Sequence, residues 1–140
     1  MIIRDARPAD IAMVRRLIGQ LADAPDESEF CARFERVSAE SGHRIIVAEM
    51  ESEVVGVLHV FERPALEKPC EAIVQALVVD GERRGAGIGE ALKREAEAWA
   101  ASRKLASTAL YTRIDRDRAR LFYERIGYRL MATSHLMGRA

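Results

Sequence analysis

Residues Ala72 to Val79 read AIVQALVV, apolar at every position but Gln75. A strand with one wet face alternates apolar and polar residues, so this run calls for protein on both of its faces. It passes through a charged loop, Asp80 to Arg84, into Gly85-Ala86-Gly87-Ile88-Gly89. Ile88, Leu92, Glu95/Ala96 and Trp99 then step at the three- and four-residue spacing of a helix. A buried strand, a glycine-rich turn and a helix in immediate succession leave few options. The chain must leave a sheet, turn sharply and lay a helix back on that sheet. Leu105 to Thr112 supplies the next strand, and a helical crossover makes it parallel to 72–79, with right-handed connection.

The rest of the chain fits around that unit. Ile2-Ile3 starts a short strand. Ile11, Val14, Leu17, Ile18 and Leu21 mark a helix, with Asp10 where the dipole favours an acid. Ala24-Pro25-Asp26 breaks it. Phe30, Phe34 and Val37 mark a second helix, ending near Gly42. Arg44 to Met50 and Val54 to Phe61 read as hairpin strands, though Glu51-Ser52-Glu53 lacks an Asn-Gly turn signal. Ala119, Phe122 and Ile126 give a short helix capped by Gly127, and Tyr128 to Met137 reads as a last strand. The order β-α-α-β-β-β-α-β-α-β is that of an α/β chain with one mixed sheet and helices on its faces. At 140 residues, with no repeat or linker, it reads as a single domain over 1–140.

Charge narrows the partners. The formal net charge is zero, which argues against a nonspecific nucleic-acid binder. Residues 1–79 hold 9 basic and 14 acidic residues and residues 80–140 hold 13 and 8, nets of −5 and +5. That asymmetry suits an anionic ligand held by the C-terminal half and a cationic one met by the N-terminal half. No apolar run reaches the ~18–20 residues of a membrane span, and Asp5 follows Met1 too closely for an ordinary signal peptide. Cys31 and Cys70, far apart and outside any CxxC, fit reduced thiols and a cytoplasmic location. His43, His59 and His135 lack zinc-ligand spacing, so no metal site is expected.

The glycine-rich turn carries the chemistry. Glycine admits φ > 0 and close approach of a ligand to the backbone. Free N–H groups at a helix start attract anions, and Arg83 and Arg84 stand at the mouth. This is a pyrophosphate cradle. A Walker A loop would end in Gly-Lys-Ser/Thr, where this chain has Gly89-Glu90-Ala91. A nicotinamide-binding fingerprint belongs early in a longer βαβ unit.

Arg84-Gly85-Ala86-Gly87-Ile88-Gly89 resembles the acetyl-CoA signature of the GNAT superfamily of N-acetyltransferases, Arg/Gln-x-x-Gly-x-Gly/Ala. Phe122-Tyr123-Glu124-Arg125-Ile126-Gly127-Tyr128 matches the family's second motif, Phe-Tyr-x-x-x-Gly-Phe/Tyr. The strong match covers about 72–128; element order and Gly56 extend it more weakly over the chain. Residues 118–135 loosely resemble the branch of aminoalkylphosphonate and related small-amine acetyltransferases. The resemblance implies an acyl-CoA N-acyltransferase fold whose two parallel strands splay apart at a bulge. The pantetheine arm of acetyl-CoA, the cosubstrate, would lie in the gap against the backbone of Leu77, Val78 and Val79. The pyrophosphate would sit on Arg84, Gly85, Ala86, Gly87, Ile88 and Gly89. Many members carry Asn seven residues before the motif tyrosine, whereas this chain has Arg116, which would meet a CoA phosphate or stay solvated.

The implied reaction is direct acetyl transfer to a primary amine of a small molecule or peptide, in a ternary complex. It needs a base for the ammonium, a polariser for the thioester carbonyl and an acid for the leaving thiolate. A backbone N–H near Val78 or Val79 is the polariser, and Tyr123 the acid. Glu71, at the start of the central strand, is the first candidate base, since its distance before Arg84 resembles that of the catalytic glutamate in histone-acetylating relatives. His59, Glu62 and a water chain are the alternatives. Neither cysteine has a neighbour that would activate it for an acyl-enzyme. A homodimer is the expected assembly. The alternative function is a non-catalytic acyl-CoA-binding or regulatory module of the same fold.

Overall fold

The computed structural model describes residues 1–23 and 25–139. They form two compact units, Met1–Leu110 and Tyr111–Ala140. The first contains strands β1 (Ile2–Asp5), β2 (His43–Met50), β3 (Glu53–Arg63), β4 (Glu71–Val79) and β5 (Thr108–Leu110). Its helices are α1 (Ile11–Ile18), α2 (Glu27–Ala39) and α3 (Ile88–Ser102). The five strands lie in chain order across one sheet. Every pairing is antiparallel except β4 with β5, which the α3 crossover makes parallel.

Side chains alternate between two cores. Ile46, Leu58, Val60, Ala72 and Val74 pack against Ile88, Leu92, Ala96 and Ala100 of α3. Val47, Val57 and Val78 pack against Val14 and Leu17 of α1 and Phe30 of α2. Both faces of β4 are therefore covered, as its unbroken apolar run requires. On α3, Lys93 is buried with the apolar stripe; burial pushes its ammonium down to about 8, with Glu97 one turn on pulling it back up.

Polar clasps hold the elements in place. Arg4 of β1 makes a two-pronged contact with Asp10 ahead of α1, at 2.8 and 3.0 Å, and reaches Glu49 of β2 at 3.0 Å. Arg7 N–H donates to the same Asp10 carboxylate at 2.7 Å. The Arg4 guanidinium holds that carboxyl below its usual range, against the opposing effect of burial. Asp26 caps α2 by accepting from Glu29 N–H at 2.8 Å. The β2–β3 turn has Glu51 and Ser52 at φ 52° and 66°, so it is a left-handed two-residue turn built without Asn or Gly. Arg83 stands near two acids of this hairpin end, 3.8 Å from Glu51 in the turn and 3.5 Å from Glu53 after it.

Three expectations change. The first helix ends at Ile18, with turn hydrogen bonds carrying the chain on to Ala22. Of the break at Ala24-Pro25-Asp26, Ala24 lies outside the described residues. The strand expected over 105–112 shrinks to Thr108–Leu110, because Leu105 N–H is taken by Ala100 at the end of α3. Tyr128 to Met137 forms no strand among the described residues: Leu130, Met131, Leu136 and Met137 are exposed, and no ladder holds the segment. In the second unit, α4 (Asp117–Arg125) is followed by Gly127 at φ 101°, and Tyr128 N–H closes the end on Tyr123 C=O at 2.9 Å.

Gly56 of β3 is where α3 comes closest. A Cβ there would lie 3.0 Å from both Ile88 Cγ2 and Leu92 Cδ1. Gly56→Ala is expected to cost ~1–3 kcal/mol through overpacking. The readout is a lower urea midpoint at unchanged m-value.

Candidate functional site

The site is built on β4 losing one neighbour. Its pairing with β5 runs from Ala72–Thr108 to Val74–Leu110 and stops there. At the same level the β3–β4 register shifts between His59 and Val60, which leaves Gln75 as the extra residue of a bulge. From Ala76 to Val79, β4 is paired on the β3 side alone among the described residues. The parity of that ladder is fixed. Asp80 N–H donates to Val55 C=O at 2.9 Å, so Gly56–Val79 is a non-hydrogen-bonded pair. Leu58–Leu77 is the next such pair, while Val57–Val78 is hydrogen-bonded. The N–H and C=O groups of Leu77 and Val79 therefore face the open edge, and those of Val78 are spent on β3.

That edge leads directly into the glycine-rich turn. Asp80 Oδ1 accepts from Glu82 N–H at 3.2 Å, and Gln20 Oε1 accepts from Gly81 N–H at 3.1 Å, so a helical turn at Gly81–Arg83 is pinned from both sides. Gly85 and Gly87 have φ 87° and 76°, and Gly87 is the residue that caps α3. L-side chains rarely adopt that backbone, so glycine is needed at both positions. Arg84 to Gly87 are exposed, and a Cβ on Gly85 or Gly87 would meet nothing within 4 Å. The space above the first turn of α3 is open, where its free N–H groups and dipole favour an anion. Ile88 anchors the turn in the core and Gly89 continues the helix.

The candidate bases fall on different faces. Glu62 is the partner of Ala72, on the α3 side, and is ion-paired with Arg103 at the end of α3. Glu71 pairs with Arg63 on the opposite face. One of its oxygens accepts from Arg63 at 2.8 Å, with Lys68 at 3.9 Å, and the other accepts from Ser107 Oγ at 2.6 Å. Both oxygens of that carboxylate are engaged. His59 lies on the α1/α2 face, in line with Val57, and its Nε2 is 3.0 Å from Nδ1 of His43. Burial, with His43 adding to it, lowers His59 to about 4. As a candidate base the sequence offers His59 without His43; the hairpin pattern of Arg44 to Met50 with Val54 to Phe61 is the signal that could join the two.

In the second unit, Tyr123 sits edge-on to Phe122 and Tyr128, with centroids 5.2 and 6.0 Å apart. Burial raises its phenol to about 12, so it stays protonated throughout the neutral range. Arg116 is exposed just before α4, its N–H donating to Arg113 C=O at 3.0 Å. Cys31 and Cys70 are free thiols, and burial and nearby Glu35 raise Cys31. No group of three or more metal-ligating side chains occurs among the described residues, and no helix there is long and apolar enough to cross a membrane.

A glycine cradle at the foot of an interrupted parallel pair defines an acyltransferase-type architecture, and comparison gives it a family. The model of the acetyltransferase (GNAT) family matches residues 11–128. The chain belongs to that family of acyltransferases. Among solved structures, the aminoglycoside antibiotic 6′-N-acetyltransferase of Acinetobacter haemolyticus is 17% identical, with a TM-score of 0.90 over 100% of this chain and 99% of that one. An acetyltransferase of Trypanosoma brucei is 22% identical, with a TM-score of 0.82 over 99% of each chain. An aminoglycoside N-acetyltransferase in complex with CoA is 13% identical, with a TM-score of 0.91 over 99% of this chain and 93% of that one. These likenesses establish the fold. No curated protein matches the chain.

The His59 geometry sets an acid limit on stability. Its folded value of about 4 lies below the ordinary 6.5, so the unfolded chain takes up the proton first. The His59 contribution is whole above pH 6.5 and is lost as pH falls through 4. Urea unfolding at stepped pH is expected to show wild type losing more stability across this window than His59→Gln, by up to one proton's worth of slope.

Proposed function

We propose that this chain, as a single domain over 1–140, is an N-acetyltransferase. It moves the acetyl group of acetyl-CoA to a primary amine of a small molecule or peptide, directly, within a ternary complex. The observation that carries this reading is the open β4 edge, with Leu77 and Val79 facing outward and ending at the exposed glycine cradle. The fit is chemical as well as steric. An amide-bearing arm needs backbone donors and acceptors in a row, and a pyrophosphate needs free N–H groups and cations.

In this reading the Leu77 and Val79 backbones pair with the pantetheine arm. Arg84, Gly85, Ala86, Gly87, Ile88 and Gly89 cradle the pyrophosphate, and Arg116 supplies a further cation. An outward N–H of the same edge polarises the thioester carbonyl; by ladder parity Val79 qualifies and Val78 does not. Tyr123 is the acid that meets the departing thiolate: its phenol is protonated throughout the neutral range, and the hydrogen bond it donates to sulfur stabilises the developing charge. Glu71, with both oxygens engaged, holds Arg63 and Ser107 at the start of β4. The acceptor comes to the α1/α2 face, where His59 and His43 lie. The cytoplasm and a homodimer remain the proposed setting.

A direct test is release of free CoA from acetyl-CoA with putrescine, 2-aminoethylphosphonate, kanamycin or a short peptide as acceptor. Amine-dependent release is expected. Acetyl-CoA binding without release with any amine would turn the reading to a non-catalytic acyl-CoA-binding module. Gly87→Glu puts bulk and negative charge where a phosphate belongs. Calorimetry is expected to find acetyl-CoA binding abolished in a folded Gly87→Glu protein. Tyr123→Phe removes one oxygen and keeps the ring. Its kcat is expected to fall by roughly 10²–10⁴ with acetyl-CoA affinity and melting temperature little changed; near-normal turnover would reduce Tyr123 to a packing role.

A further inference from the structure

His59 stands opposite the bulge at Gln75. It is the partner of Ala76, and the register shift falls between it and Val60. This is the level at which β4 has just parted from β5, after Val74–Leu110. Across the hairpin on the same face is His43, whose Nδ1 lies 3.0 Å from His59 Nε2. The His43 ring is stacked on Phe61, with centroids 5.0 Å apart and planes 10° from parallel, which fixes its orientation. An N···N contact of that length holds one proton, donated by one ring to the other. Nδ1 of His59 has no hydrogen-bond partner among the described residues.

The other groups on this face are either apolar or already paired. α1 and α2 turn Val14, Leu17 and Phe30 to the sheet. From β4 comes Glu71, bound to Arg63 of β3 and to Ser107. From β2 comes His43 itself. Resting on the acetyl transfer proposed above, we propose that His59 is the general base of the reaction and that His43 is the residue that positions it. His59 Nε2–H donates to His43 Nδ1, which fixes the tautomer that leaves Nδ1 of His59 unprotonated. That nitrogen takes a proton from the acceptor's ammonium, directly or through one water. The N–H bond of the ammonium breaks, its electron pair stays on the amine nitrogen, and a new N–H bond forms at Nδ1. The imidazolium is steadied by its hydrogen bond to His43 and gives its proton to water after transfer. Burial keeps the ring neutral near pH 7, so its free nitrogen is available to accept the proton.

The test takes the best acceptor from the amine panel and measures kcat against pH, with acetyl-CoA affinity by calorimetry. His59→Gln is expected to lower kcat by roughly 10²–10³ while acetyl-CoA affinity stays within about threefold. His59→Ala is expected to regain turnover when imidazole is added. His43→Gln is expected to shift the acidic limb of the kcat profile with the KM for acetyl-CoA unchanged, which a packing role would not do. A folded His59→Gln enzyme with kcat within about threefold of wild type would overturn the assignment. If His59→Gln does not fold, an acidic limb unmoved in His43→Gln overturns it instead. Wild type that releases no CoA with any amine overturns the acetyl-transfer reading itself, and His59 as base with it.

Discussion

The β4–β5 ladder ends at Val74–Leu110, and the site depends on that ending. A strand that kept its neighbour to the last residue would spend every outward N–H and C=O on it. Here the outward groups of Leu77 and Val79 are left at an open edge, and the bulge at Gln75 turns the strand as it parts. Open edges are usually blunted by charge or proline, because they recruit other chains. This one is short and runs straight into a glycine turn, which suits the cofactor arm proposed for it.

An interrupted edge has to be held by something rigid, and the α3 face does this. Gly56 lets α3 settle onto β3, with Ile88 and Leu92 in the space a Cβ would take. Ile88 is also the first residue of the helix whose N-terminus forms the glycine-rich turn, so the packing that seats α3 fixes the proposed anion site in the same step. On the far side the Arg4–Asp10–Glu49 cluster ties the first strand, the start of α1 and β2 together. Breaking it would strand a nearly buried carboxylate, which costs more than the pair itself contributes.

Much of this was legible in the sequence. AIVQALVV declared a doubly covered strand, and Gly85-Ala86-Gly87 declared the turn, because side-chain period and glycine placement are local signals. What was missed depends on register. Gln75 is the one polar residue in the run, and it is the bulge; read alone, it is only a break in hydrophobicity. The short β5 followed from the cap at the end of α3, and apolar residues over 128–137 looked like a strand because pattern reports what a segment suits and not whether a partner is present. The turn at Glu51-Ser52 formed a left-handed hairpin without the residues that normally announce one, a strain that the long β2–β3 ladder can carry.

Register also decides which groups are free to do chemistry. The chain is rich in carboxylates, yet around the bulge they are engaged by cations and hydroxyls: Glu62 by Arg103, and Glu71 by Arg63 and Ser107. Both oxygens of Glu71 and the carboxylate of Glu62 are already committed to partners within the fold. Nδ1 of His59 has no such partner among the described residues. It also presents no fixed charge that would hold an incoming ammonium in its protonated state. The pairing of β2 with β3 brings His43 to His59 with 16 residues of chain between them, a juxtaposition that no linear motif records. It leaves one uncommitted ring nitrogen on the face of the sheet that α3 does not fill.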